Sequence, residues 1–167
     1  MFKKIFLAIA LILPMTAMAQ KFGVVDVDSI FTAMPEYTQM QTQLEQTSNQ
    51  YQEEFNRLQE EVTRLITEYQ AMAEDANTPQ SIKERRIQEI QERDQRIQQF
   101  RNTAQQDIAR QQEQLAAPIQ QRLTDAIKSV GLEGGYTFIL PNEPSLLLYI
   151  GTDVTNVTSA VRAKLGL

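Results

Sequence analysis

The chain has 167 residues, 16 basic and 21 acidic, a formal net charge of −5, and neither His nor Cys. This removes the commonest general base and metal ligand at neutral pH, and with it disulfides, thiolate metal sites and cysteine nucleophiles. Non-specific nucleic-acid binding depends on neutralising phosphates, so an acidic chain is not expected to have nucleic acid as a partner.

The first element is an export signal over residues 1–19. Met1-Phe2-Lys3-Lys4 is a basic start, Ile5 to Met15 is apolar apart from Pro14, and Ala17-Met18-Ala19 is a small-x-small cleavage site. The competing reading is an uncleaved anchor, but the run falls short of the ~20 residues that span a bilayer. No Cys follows the site, so a lipoprotein anchor is excluded. Cleavage near Ala19 leaves a chain starting at Gln20. Loss of Lys3 and Lys4 takes its 16 basic residues to 14 against 21 acidic ones, a net of −7.

Lys21 to Asp28 is rich in valine, and Val24, Val25 and Val27 place apolar groups on both faces, as in a buried strand. Ser29 is expected to cap a short helical turn through Met34, which Pro35 ends.

Residues 36–130 are dominated by Gln, Glu and Arg. Tyr37, Met40, Leu44, Tyr51, Phe55, Leu58, Val62, Leu65, Tyr69 and Met72 recur at steps of three and four, with one step of seven across Thr47-Ser48. This is a coiled-coil seam, predicting one helix from Glu36 to Ala76. Ala76-Asn77-Thr78-Pro79 interrupts it, with Thr78 suited to an N-cap and Pro79 to the first position of a second helix. In that helix Ile97, Ile108, Ile119 and Val130 lie eleven apart, a spacing of straight or slightly right-handed winding. Pro118 removes a backbone donor within it and is expected to kink it. Two such helices joined by a short turn predict an antiparallel hairpin over 36–130 with its tip near 76–79. Charge supports the pairing: residues 36–75 hold nine acidic and two basic groups, residues 80–128 seven acidic and nine basic.

Gly131 is the expected end of the second helix. Tyr136–Leu140 and Leu146–Ile150 read as two strands of a hairpin joined by Pro141-Asn142-Glu143-Pro144-Ser145. Asp153 or Thr155 is expected to cap a final helix with Val154, Val157, Val161 and Leu165 on one face. The expected class is therefore α+β, mainly α. Its body, residues 20–35 and 131–167, is small and strongly apolar. So small a core is marginal for one chain. Sharing it between copies is the simplest solution, and cover from the hairpin base is the alternative. Candidate hub residues are Val24, Val25, Val27, Phe138, Leu140, Leu147 and Tyr149.

Chemistry-bearing motifs are sparse. There is no Gly-rich phosphate loop and no nucleophile elbow, so no catalytic residue, metal or cofactor is assigned. Glu53-Glu54 and Glu60-Glu61 read as the solvated face of a coiled coil rather than as metal ligands. Asp26 and Asp28 read as a strand end leading into a turn. Near the tip, Met72, Lys83, Arg85 and Arg86 are candidate contacts to a client or to anionic lipid, against the plainer reading of a solvated helix start.

Three stretches carry a family resemblance: Lys21 to Phe31, Ile119 to Val130, and Tyr136 to Leu140 followed by Leu146 to Ile150 and Asp153-Val154-Thr155. Together they resemble the Skp/OmpH-like family of periplasmic chaperones over the whole exported chain. The resemblance implies a homotrimer in which a β-rich hub carries three helical tentacles around a cavity. It implies an ATP-independent holdase that takes unfolded outer-membrane proteins as partners. The best-known members of that family are basic, whereas this chain is acidic. Binding is therefore expected to rest chiefly on apolar contacts, with weak membrane-surface contact at most. A coiled-coil scaffold or spacer of the cell envelope is the alternative, and the arms alone fit both.

Overall fold

The computed structural model describes residues 20–167; the expected signal segment and its cleavage site lie outside the described residues. The elements are β1 (Lys21–Val25), α1 (Val27–Ala33), α2 (Pro35–Glu74), α3 (Gln80–Gly134), β2 (Tyr136–Pro141), β3 (Val154–Asn156) and α4 (Thr158–Leu165). The class is α+β and mainly helical. The described residues divide into two compact units, one holding β1 with Ala126–Gly166 and the other Asp28–Asp125.

In the first unit β1 is the central strand of a sheet ordered β2-β1-β3, and both neighbours run parallel to it. Val24 and Val25 are buried, as a central strand demands. The parallel register sets Phe22 beside Phe138 and Val24 beside Leu140, with the Phe22 and Phe138 rings 4.6 Å apart. Gly23 sits where a Cβ would come within 3.1–3.3 Å of Ile139 and Tyr136, so a small residue allows this close approach. After β3, Val157, Val161 and Leu165 are buried on one face of α4 and its approach. The Thr158 hydroxyl accepts a hydrogen bond from the Asp26 amide at 2.9 Å.

This part of the chain differs from the expected hairpin. Leu146–Ile150 is not a strand; it lies in the loop between β2 and β3. The Leu146 and Leu147 amides both bond the Glu143 carbonyl at 2.9 Å, closing a turn around Pro144. The loop is long enough to cross over, so the third strand pairs with the far side of β1 and runs parallel. Because Val154–Asn156 becomes β3, neither Asp153 nor Thr155 caps α4. The Asn156 side chain instead accepts the Thr158 amide at 3.0 Å. The long helix also passes the expected stop at Gly131 and runs to Gly134. It ends at Gly135, whose φ of +64° is the left-handed conformation that favours glycine. Lys21 Nζ donates to the freed Gly134 carbonyl at 3.1 Å.

In the second unit α1 starts at Val27, so Val27 leaves the strand and Ser29 lies within the helix rather than capping it. Pro35 follows α1 and occupies the first turn of α2, where its missing N–H costs nothing. Every residue of the expected seam is at least partly buried, with Met40, Leu58, Val62 and Leu65 the most so. Leu58 and Val62 pack with Ile97 of α3, flanked by Phe55, Ile90 and Phe100. Cross-helix partners run in opposite order: Glu36 with Arg122, Tyr51 with Asp107, Glu61 with Arg93, Glu68 with Arg86. That is an antiparallel hairpin, and the 40 residues of α2 extend about 60 Å at 1.5 Å each. Helix α3 continues as one element through Pro118.

Candidate functional site

Along α2, Phe55, Val62 and Tyr69 occupy heptad position a, and Leu58, Leu65 and Met72 position d. Position g is then glutamate throughout: Glu54, Glu61 and Glu68. Position e is uncharged throughout: Gln52, Gln59, Ile66 and Ala73. These positions flank a coiled-coil seam and set what can lie against each side. On the glutamate flank Arg93 reaches Glu61 at 3.5 Å, and Arg86 lies 3.4 Å from Glu68 and 2.9 Å from Glu89. Such partly exposed pairs contribute about 0–1 kcal/mol each, so they fix register more than stability. Glu54 is held below the ordinary carboxylate range by its hydrogen bonds to Arg57.

Mid-arm, the seam changes phase. Steps of four follow one another from Thr47 to Tyr51 and from Tyr51 to Phe55, a stutter that locally unwinds a coiled coil. The Tyr51 ring meets Phe100 edge-on at 5.8 Å, and its hydroxyl donates to Asp107 at 2.6 Å. That bond holds the Tyr51 pKa above its ordinary value. Asp107 also pairs with Arg110. A cavity opens on each side of the Tyr51–Phe100 contact. The one on the glutamate flank is about 520 Å³ and is lined by Glu54, Asp107 and Arg110 among others. The one on the uncharged flank is about 360 Å³.

The tip is built around a residue that sequence reading passed over. Asp75 accepts the Asn77 amide at 2.9 Å, the Asn77 side chain at 3.2 Å and the Thr78 hydroxyl at 2.9 Å. The Asn77 amide, then Thr78, depress its pKa. Thr78 is therefore drawn back to Asp75, and Pro79, not Thr78, offers the first carbonyl of α3 to Ile82 and Lys83. The Asp75-Ala76-Asn77-Thr78 order is a recognisable Asx-turn signal. Lys83 Nζ donates to the Ala73 and Asp75 carbonyls at 3.1 and 3.0 Å, covering the C-terminus of α2. Of the tip residues singled out from sequence, Lys83 and Arg86 are thus engaged within the arm, Met72 is half-buried in the seam, and Arg85 is exposed.

The first unit presents an apolar surface. Phe138 and Leu140 lie on the same face of β2 and remain 47% and 40% exposed. Leu148 and Tyr149 in the following loop are 96% and 85% exposed, and Leu132 at the end of α3 is 85% exposed. Of the other hub candidates, Val24 and Val25 are buried, whereas Val27 and Leu147 are half-buried. Leu132 and Leu148 were not among the sequence candidates, since an apolar residue in a helix or loop carries no signal of its exposure.

Among the described residues no helix is long and apolar enough to cross a membrane, and no group of acidic side chains converges as a metal site would require. Compared with known families, residues 21–165 match the model described as Outer membrane protein (OmpH-like). No curated protein matches the chain.

Proposed function

The chain belongs to the OmpH-like outer membrane protein family, and from that premise we propose that it is an ATP-independent holdase, binding unfolded outer-membrane proteins and preventing their aggregation. At the level of the family, membership supports a periplasmic chaperone of outer-membrane proteins rather than an enzyme. The match across residues 21–165 carries the proposal. In this reading residues 1–19 are removed on export, residues 20–35 and 131–167 form a hub, and 36–130 form an arm.

The apolar surface of the first unit supports a shared hub. Exposed Phe138, Leu140, Leu148 and Tyr149 leave apolar area in water, and covering such area contributes about 25 cal/mol per Å². A homotrimer would cover them and bring three arms around one client. Many weak contacts on linked arms then add through effective concentration, and no nucleotide-driven step is needed.

The test dilutes an outer-membrane β-barrel protein from urea into buffer without ATP, with and without the purified exported chain, while light scattering is followed. Sedimentation of the same sample gives the number of copies. Suppression near one trimer per client is the expected result. No suppression by a folded oligomer would overturn the holdase and favour an envelope scaffold.

A further inference from the structure

We propose that the charge-poor flank of the helical arm is its client-binding face, with the cavity of about 360 Å³ beside Tyr51 receiving one large apolar side chain of an extended, charge-poor polypeptide. The inference rests on the holdase reading above and adds where on the arm the client lies and what chemistry it must present.

The hairpin sorts its charges. On one flank of α2, positions 54, 61 and 68 are all glutamate, and Glu61 and Glu68 have arginine partners across the seam. On the other flank Ser48, Gln52, Gln59 and Ile66 are exposed and uncharged. The facing row of α3 is Ile87, Asp94, Arg101 and Ile108, spaced by sevens, and Arg101 and Ile108 line the cavity. That row has one charge of each sign. The Arg101 guanidinium lies 5.8 Å from the centre of the Phe55 ring, stacked on the seam. Ile66 and Ile87 are exposed apolar groups tip-ward of the cavity.

The cavity has an apolar floor of Phe55, Ala104 and Ile108 and a polar rim of Ser48, Gln52 and Gln105 with the cationic Arg101. No carboxylate lines it. Its volume is at the lower end of the range for pockets that hold small ligands, enough for an aromatic or branched aliphatic side chain. Amide side chains both donate and accept hydrogen bonds. The rim therefore satisfies the alternating N–H and C=O groups of an extended backbone without demanding a particular sequence. Its counterpart on the other flank includes Glu54, Asp107 and Arg110, groups already committed to partners within the arm.

Charge also decides between occupants. A second arm presenting its outer face would bring exposed Glu53, Glu60 and Glu74, or Arg57 and Arg64, against the uncharged row of α2, and one presenting this same flank would bring exposed Asp94 and Arg101 of its own α3. Taking such charges out of water is unfavourable. A charge-poor segment of non-native polypeptide meets no such penalty.

The test compares two double variants of the exported chain in the aggregation assay. Gln59→Glu with Ile66→Glu places two carboxylates on the proposed face. Thr67→Glu with Ala71→Glu places the same two charges on exposed positions away from it. All four sites are exposed, and circular dichroism and sedimentation verify fold and mass. The first pair is expected to raise the concentration for half-suppression roughly fivefold or more, because a bound apolar segment would desolvate the new charges, while the second pair behaves as wild type. Equal behaviour of the two pairs, with active wild type, would overturn the assignment of the face but leave the holdase standing. A changed oligomer mass in the first pair alone would assign the face to a second copy and overturn the proposal. An inactive wild type would remove the holdase and this inference together.

Discussion

Replacing Leu58 by Ala tests whether the arm is held by the seam cluster. Leu58 is buried against Val62 and Ile97, with Phe55, Ile90 and Phe100 around them. The substitution removes three carbons, a transfer loss of about 2.4 kcal/mol at ~0.8 per methylene. A cavity cost would normally be added. A two-helix layer is open at its flanks, however, so water and neighbouring side chains relieve most of it, and the total is about 2.8 kcal/mol, at the low end for buried leucines. Hydrogen exchange of arm amides around Val62 and Ile97 should then accelerate about a hundredfold, one decade per 1.4 kcal/mol. Leu44→Ala provides the comparison, because Leu44 is only half-buried on the base side of the stutter. It should cost about half as much. Equal effects at both positions, or a cost below ~1 kcal/mol at Leu58, would refute the view that the seam is the arm's source of stability.

Two further outcomes follow from the site. Asp75 has a depressed pKa in the folded turn, so its stabilisation is complete above the ordinary aspartate value of about 3.9 and is lost as pH falls through the lower folded value. Exchange protection of the Asn77 and Thr78 amides, followed by NMR, should weaken over that acidic window, and Asp75→Asn should flatten the dependence. Client binding should change less than about twofold between roughly 50 and 300 mM salt, because screening at these strengths acts on exposed charges and the proposed face is uncharged on α2; a tenfold loss in fluorescence titration would contradict this.

The arm was legible because its burial is local. A seam spacing of three and four dictates which side chains of α2 turn inward, and all ten named positions are at least half-buried. Strand pairing is not local. Leu146–Ile150 has strand composition, yet Pro144 and the turn at Glu143 divert it, and the short Val154–Asn156 segment takes the edge of β1 instead. Nothing in the composition of either segment states which one β1 accepts. Helix ends moved for a related reason. Gly131 has no left-handed φ to adopt while α3 still packs, whereas Gly135 does adopt one. Thr78 was a good cap by type, but Asp75 three residues earlier offered its hydroxyl a stronger acceptor.

Charge patterning was visible in the sequence as opposite biases of the two arm segments, but its use depends on register. From Glu53 to the tip the acidic residues of α2 divide between two rows. Glu61 and Glu68 beside the seam pair with Arg93 and Arg86 and so help to specify how α3 lies, whereas Glu54 is held by Arg57 of its own helix. Glu53, Glu60 and Glu74 form an exposed outer row. In an assembly of several copies that outer row makes neighbouring arms repel one another. In such an assembly repulsion would keep the arms from collapsing together, and a charge-poor flank would then stay open to a partner that brings no charge of its own. On the proposed holdase reading, an acidic chain would thus hold an unfolded polypeptide without attracting it electrostatically, its charges spacing the arms rather than capturing the client.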